Sequence, residues 1–184
     1  MRELPKPAMR ILRIAFLARA AWYRIRYPRL VVGAETMLIG RLQIRGRTRV
    51  ILKDQVRVRR TVRITGGGTV VVGPRTLLNG CWIVATENVT IGGDCLISDC
   101  GITDSDFHNL PPALRHAQPT DRTRSPVTIS DNVWVGLSAL VLKGSTVGKD
   151  SVVGAGSVVR GQVPPGVVVA GDPPQILKRF KADT

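Results

Sequence analysis

Valine or isoleucine returns every sixth residue through the last third of the chain, at Ile129, Val135, Val141, Val147, Val153 and Val159. A second row, four places after each, holds small or β-branched residues: Val133, Ala139, Ser145, Ser151, Ser157 and Val163. Glycine follows the apolar residue at Gly136, Gly148 and Gly154. A period of six matches neither the alternation of a half-buried strand nor the 3.6-residue repeat of a helix. It fits one rung of a three-sided coil, a short strand followed by a corner, with about eighteen residues to a turn. The large apolar residue points inward and stacks on its equivalents in neighbouring coils, building a core that no single coil could bury. The second inward residue must be small, because a large one would meet the opposite walls. Glycine or a polar residue suits the corner, where dihedrals are unusual.

The pattern extends upstream. Val72, Leu78 and Val84 keep the spacing, as do Ile91 and Ile97, and Val32, Leu38, Ile44, Val50, Val56 and Val62 fall six apart. In this first stretch Asp54 and Arg60 stand where small residues are expected. Residues 109–126, "NLPPALRHAQPTDRTRSP", lose the period altogether, and their prolines and polar residues predict a loop ejected from the coil. A long loop inside a regular domain is commonly functional. The expected organisation is therefore a basic helix over residues 1–28 and a repeat domain over 29–184.

Composition agrees with a narrow β prism: 43% of the 184 residues are hydrophobic but only 4% aromatic. Cys81, Cys95 and Cys100 match no zinc-ligand spacing and read as buried apolar fillers in a reducing cytosol. Charge is distributed unevenly. Residues 1–63 hold 17 Lys/Arg against 3 Asp/Glu, whereas residues 64–184 hold 10 of each, so the whole excess of +14 lies in the first third. That third opens with "PAMRILRIAFLARAAWYRIRYP", a helix ending at or before Pro28. Ile11, Ile14, Ala18, Trp22 and Ile25 share one face, with Arg10, Arg13 and Arg24 beside it. Its apolar runs are far too short to span a bilayer. Three roles are open: a cap on the solenoid end, an interfacial helix on anionic lipid, or a nucleic-acid contact. The last is disfavoured, since no reading module or stacking aromatics accompany it.

Only two histidines are present. His116 lies within the ejected loop, and His108 ends "CGITDSDFHNL", where the coil gives way to that loop. From about Val70 onward, the His-bearing segment, the loop, "PVTISDNVWVG", "VVGAGSVV" and "VPPGVVVAGDPPQILKRF" occur in an order that resembles the hexapeptide-repeat sugar O-acetyltransferases. Galactoside and maltose O-acetyltransferases and those of bacterial surface polysaccharides are the similar groups. The resemblance implies an all-β fold, a left-handed parallel β-helix, with a short C-terminal helix at about residues 173–181. It implies acetyl-CoA as cosubstrate, no metal, and His108 as general base in a direct transfer to a hydroxyl. An imidazole of unperturbed pKa ~6.5 suits that task. Asn79, Asp106 and Trp134 are the expected acceptor contacts, and Leu137, Ala155, Arg160 and Lys178 the expected CoA contacts. Leu137 departs from the serine common at that place, and Arg160-Gly161 replaces a Thr-Lys pair. The resemblance further implies a homotrimer with each site between two subunits. A sugar, nucleotide sugar or lipid-linked glycan is the acceptor class, at the inner face of the cytoplasmic membrane if the helix binds lipid. An N-acetyltransferase and a non-catalytic scaffold remain as alternatives. A carbonic anhydrase of this fold needs three histidine ligands, and the chain has two.

Overall fold

The inward rows of the repeat close into three parallel sheets wound from one chain, in a computed structural model that describes residues 6–181. One face stacks seven strands, from Leu30–Val32 to Gln162–Val163. The second runs from Met37–Leu38 to Val167–Ala170 and ends on Gln175–Arg179. The third holds six, from Arg41–Gly46 to Val158–Val159. On each face the chain returns with every third strand, as a three-sided solenoid requires. The two predicted rows form the interior: Ile129, Val135, Val141, Val147, Val153 and Val159 are at most 1% exposed, and Ala139, Ser145, Ser151 and Ser157 are fully buried. The buried serines are satisfied locally, their hydroxyls donating to the carbonyls of Val159, Pro164 and Gly154. Cys81, Cys95 and Cys100 are buried and unpaired in disulfides. Burial pushes the Cys100 thiol up to about 12, and raises those of Cys81 and Cys95, so none is a ready thiolate.

Coil length departs from the expected eighteen residues in the first half. Leu30 sits beside Val50, and Val50 beside Val70, so these coils take twenty residues. The register shortens to nineteen from Val70 to Val89, to eighteen after the ejected loop, as from Trp134 to Val152, and to sixteen in the last coil, from Val147 to Val163. The extra residues lengthen the strands of the third face, where Arg41–Gly46 pairs along its length with Thr61–Gly66. Val32 and Ile44, expected in the core, are consequently only partly buried, and Leu30, Leu42 and Leu52 fill it instead. Asp54 and Arg60 are corner residues, not interior ones. Asp54 accepts the Ala34 N–H at 2.8 Å, and Arg60 takes the left-handed conformation.

The short C-terminal helix expected at 173–181 is a strand. Gln175–Arg179 runs antiparallel to Val167–Ala170. The last coil would otherwise expose a row of unpaired N–H and C=O groups, and an added strand satisfies them. At the other end, the helix Lys6–Arg26 performs the same duty. It packs across the first strands of two faces, and Tyr23, buried, accepts the Leu42 N–H of the third face through its hydroxyl at 3.0 Å. Ala20, Tyr23 and Tyr27 form the packed side, and Phe16 is half-buried. The predicted stripe is not this side: Ile14, Trp22 and Ile25 are 61%, 58% and 81% exposed. The side chains of Arg10, Ile11 and Arg13 lie outside the described residues.

Candidate functional site

The ejected loop is built around two buried polar residues. Asp104 is fully buried, its carboxylate accepting the Thr86 N–H and hydroxyl, both at 2.8 Å, and the Glu87 N–H at 2.7 Å. Its carbonyl takes the Ser125 N–H, so it joins the start of the loop to its return. Asn109, also buried, donates to the carbonyls of Leu114, Ala117 and Gln118 and accepts from Thr120. Between them the two strands of a neck meet, Ser105 opposite Arg124, with the Asp106 N–H bonded to the Thr123 carbonyl. The carboxylate of Asp106 is engaged by Lys143 at 2.5 Å, and Lys143 also donates to the Arg122 carbonyl. Asp106, expected as an acceptor contact, thus fastens the neck to the coil.

His108 stands on this neck, exposed, and its ring makes no hydrogen bond among the described residues. Phe107 before it takes a positive φ of 64°, a costly conformation for a bulky residue, held by the Ser105 hydroxyl on its N–H. That turn precedes His108, which is exposed at the start of the loop, as are Phe107, Leu110 and Leu114. His116 is also exposed, further out in the loop.

Two of the three expected acceptor contacts, Asn79 and Trp134, lie on a different face. His108 follows the third-face strand Gly101–Thr103, whereas Asn79 and Trp134 belong to second-face strands. Asn79 donates to Asp99 at 3.3 Å, and Asp99 also binds Arg60 at 3.0 Å. Trp134, half exposed, sits between Leu96 and Val152 on an outward apolar ridge. One chain therefore does not assemble His108 with Asn79 and Trp134. Exposed apolar residues flank His108 in the chain, Phe107 and Leu110, and Trp134 has exposed Leu96 beside it on the neighbouring strand.

Leu137 and Ala155 occupy the same corner of successive coils, linked by the Gly156 N–H to the Leu137 carbonyl at 2.8 Å. Both are exposed, and their own N–H groups make no hydrogen bond among the described residues. Stacked free amides of this kind fit the amide carbonyls of a pantetheine arm. Arg160 pairs with Asp172 at 2.5 Å, and Lys178 lies over the Phe180 ring at 5.4 Å. Both cations are exposed near the C-terminal end. An exposed pair such as Arg160–Asp172 is weakly held, so a phosphate can replace the carboxylate. No cluster of three or more metal-ligating side chains occurs among the described residues. The features that sequence reading missed are Asp104, Asn109 and Lys143, which look like ordinary loop and surface polar residues until the fold buries or pairs them.

No family model matches the chain. It is 30% identical to the polysialic-acid-specific acetyltransferase NeuO, with a TM-score of 0.62 over 84% of this chain and 85% of that one. A hexapeptide-repeat acetyltransferase of Vibrio cholerae O1 biovar eltor, solved with acetyl-CoA, superposes with a TM-score of 0.61 at 25% identity, covering 90% of this chain and 78% of its own. In sequence, the provisionally assigned lipopolysaccharide biosynthesis O-acetyl transferase WbbJ of Escherichia coli (strain K12) is 41% identical over 109 residues, 55% of this chain and 56% of that protein. The chain spans about half the length of the curated relatives it matches first.

Proposed function

The chain belongs to the hexapeptide-repeat β-helix acetyltransferases, and from that membership we propose that it transfers acetyl from acetyl-CoA to a sugar hydroxyl. His108 is the general base. Its imidazole takes the acceptor O–H proton as that oxygen attacks the thioester carbonyl. The new C–O bond forms, the C–S bond breaks, and the proton ends on the departing CoA thiol. Base assistance of this kind supplies about 10²- to 10⁴-fold. Backbone N–H groups at the coil corners are the natural donors to the charge developing on the carbonyl oxygen.

The observation that carries the reading is the neck. A buried aspartate, a buried asparagine and the Asp106–Lys143 pair fix a loop for which the coil itself has no need. That loop holds one histidine out at the coil edge in a strained turn. The separation of His108 from Asn79 and Trp134 supports a site completed by a second copy. The patch around His108 would face the Trp134–Leu137 patch of its neighbour, as in a parallel trimer. Acetyl-CoA then lies along the Leu137–Ala155 corner, its phosphates toward Arg160 and Lys178. The relatives act on polysialic acid and in lipopolysaccharide biosynthesis by name, which favours a surface-glycan acceptor over an amine.

The test is a screen of purified protein with acetyl-CoA against glycans, nucleotide sugars and amino sugars, following free thiol. Acceptor-dependent thiol release is expected with a sugar hydroxyl. Release with amino sugars alone would transfer the proposal to N-acetylation, and none with any acceptor despite acetyl-CoA binding would leave a scaffold.

A further inference from the structure

The N-terminal helix has two apolar sides, and the solenoid uses only one. At 100° per residue, Phe16, Ala20, Tyr23 and Tyr27 fall together, and the last three pack against the core at the end of the coil. Ile14, Leu17, Trp22 and Ile25 fall on the opposite side, each 58–81% exposed. Because the helix meets the first strands of all three faces, that free side points along the solenoid axis, away from the protein. Arginines border it on both margins, Arg24 on one and Arg19 and Arg26 on the other.

Below this surface the first coils add Arg29, Arg41, Arg45, Arg47 and Arg49. Arg29, Arg47 and Arg49 line one cleft at the rim, with the Arg29 guanidinium on the Arg47 carbonyl. Among the described basic residues up to position 63, only Arg60 makes an ion pair within the chain. The remaining described cations have no carboxylate partner: Arg19 donates to the Gly40 carbonyl at 2.8 Å and Arg26 lies over the Tyr27 ring at 5.2 Å, which leaves their charge open to an anion outside the chain. An apolar strip with arginine margins, on a helix that no described residue buries further, matches the interfacial helix of a peripheral membrane protein. Apolar side chains enter the boundary of the acyl chains while the arginines reach headgroup phosphates.

We infer that this end of the molecule docks on an anionic lipid surface, through Ile14, Leu17, Trp22 and Ile25 and the arginines around them. A second copy is the poorer occupant, because a symmetric contact would set Arg19, Arg24 and Arg26 against like charges. A nucleic acid would satisfy the arginines but gain nothing from the apolar strip. No helix among the described residues is long and apolar enough to cross a membrane, so the contact is superficial. Resting on the proposed transferase reading, the geometry adds the substrate class. His108 leaves the fourth strand of the third face, three strand spacings of ~4.8 Å above the first. With ~10 Å for the helix, the base stands roughly 25 Å from the docked surface, at the height of a lipid-tethered glycan rather than of a headgroup.

The experiment uses the full-length protein and vesicles of phosphatidylcholine, with or without about a third phosphatidylglycerol. Binding is expected to the anionic vesicles only, and to fall steeply between 0.1 and 1 M salt, roughly the range over which screening tightens from 10 to 3 Å. Ile14→Ser with Ile25→Ser should lower the vesicle-bound fraction at least tenfold, with unchanged Tm and oligomeric state, since both side chains are exposed. Arg24→Glu with Arg26→Glu should lower it as far. Wild-type protein that ignores anionic vesicles, or serine variants that bind as well as wild type, would overturn the inference. So would loss of the oligomer in the serine variants, which would make a second copy the occupant. Acetylation of a soluble acceptor by the serine variants is expected to persist, so failure of the transferase reading is scored separately.

Discussion

The first three coils and the last three are made by the same repeat but not to the same gauge. Up to Val72 a coil takes twenty residues, and the third-face strands run to six. Beyond the loop a coil takes eighteen residues and the last one sixteen, most strands shrink to two residues, and the interior is lined by serine, alanine and valine. The wide coils carry the unpaired arginines and the helix, whereas the narrow coils carry the free amides of Leu137 and Ala155. Wide coils provide area for an extended surface contact. Narrow coils bring successive corners into register, which a linear cosubstrate needs. The ejected loop stands between the last coil of nineteen residues and the first of eighteen.

The largest effect is expected at that boundary. Asp104→Ala strips the acceptor from two N–H groups and a hydroxyl at a fully buried position. An unsatisfied buried group costs about 1–3 kcal/mol, so chemical denaturation should show a loss of at least about 3 kcal/mol, with turnover falling as the neck loosens. A variant of wild-type stability would mean that the neck is held elsewhere.

Inside the narrow coils, Ser157→Leu overfills a position with no exposure and should cost about 1–3 kcal/mol. A smaller loss would show that this half is less tightly gauged than its burial implies. The phosphate end gives a binding effect of similar rank. Arg160→Ala with Lys178→Ala should raise the KM for acetyl-CoA about tenfold, roughly 1.4 kcal/mol, leaving kcat at saturation near wild type. An unchanged KM would remove both residues from the CoA contact. At the wide end, Tyr23→Phe leaves the Leu42 N–H without its acceptor and should lower stability by about 1 kcal/mol. If Tm does not move, the helix caps by apolar contact alone.

The sequence announced the narrow coils plainly, because in an eighteen-residue coil every inward row keeps step with the chain. Ser145, Ser151 and Ser157 could be placed without a structure. The wide coils were harder. Two added residues per turn preserve strand alternation, so Val32 and Ile44 matched the period while Leu30 and Leu42 took the interior. Gln175–Arg179 read as a helix because nothing local reveals the open edge that it covers. Ile14, Trp22 and Ile25 were rightly grouped on one face, but which face meets the solenoid is decided by Tyr23 reaching Leu42. His108 was legible as a residue, and its setting was not. Asp104 and Asn109 sit in a run that looks like solvated loop, and only closure of the neck buries them. Asp106, adjacent in sequence, proved to be Lys143's partner.

The most direct measurement is acceptor-dependent thiol release from acetyl-CoA by wild type, His108→Ala and His116→Ala, using the acceptor that the screen identifies. Turnover in His108→Ala is expected to fall by about 10²- to 10⁴-fold, with acetyl-CoA affinity retained and His116→Ala close to wild type. Full turnover in a folded His108→Ala protein would contradict the role of His108 as general base.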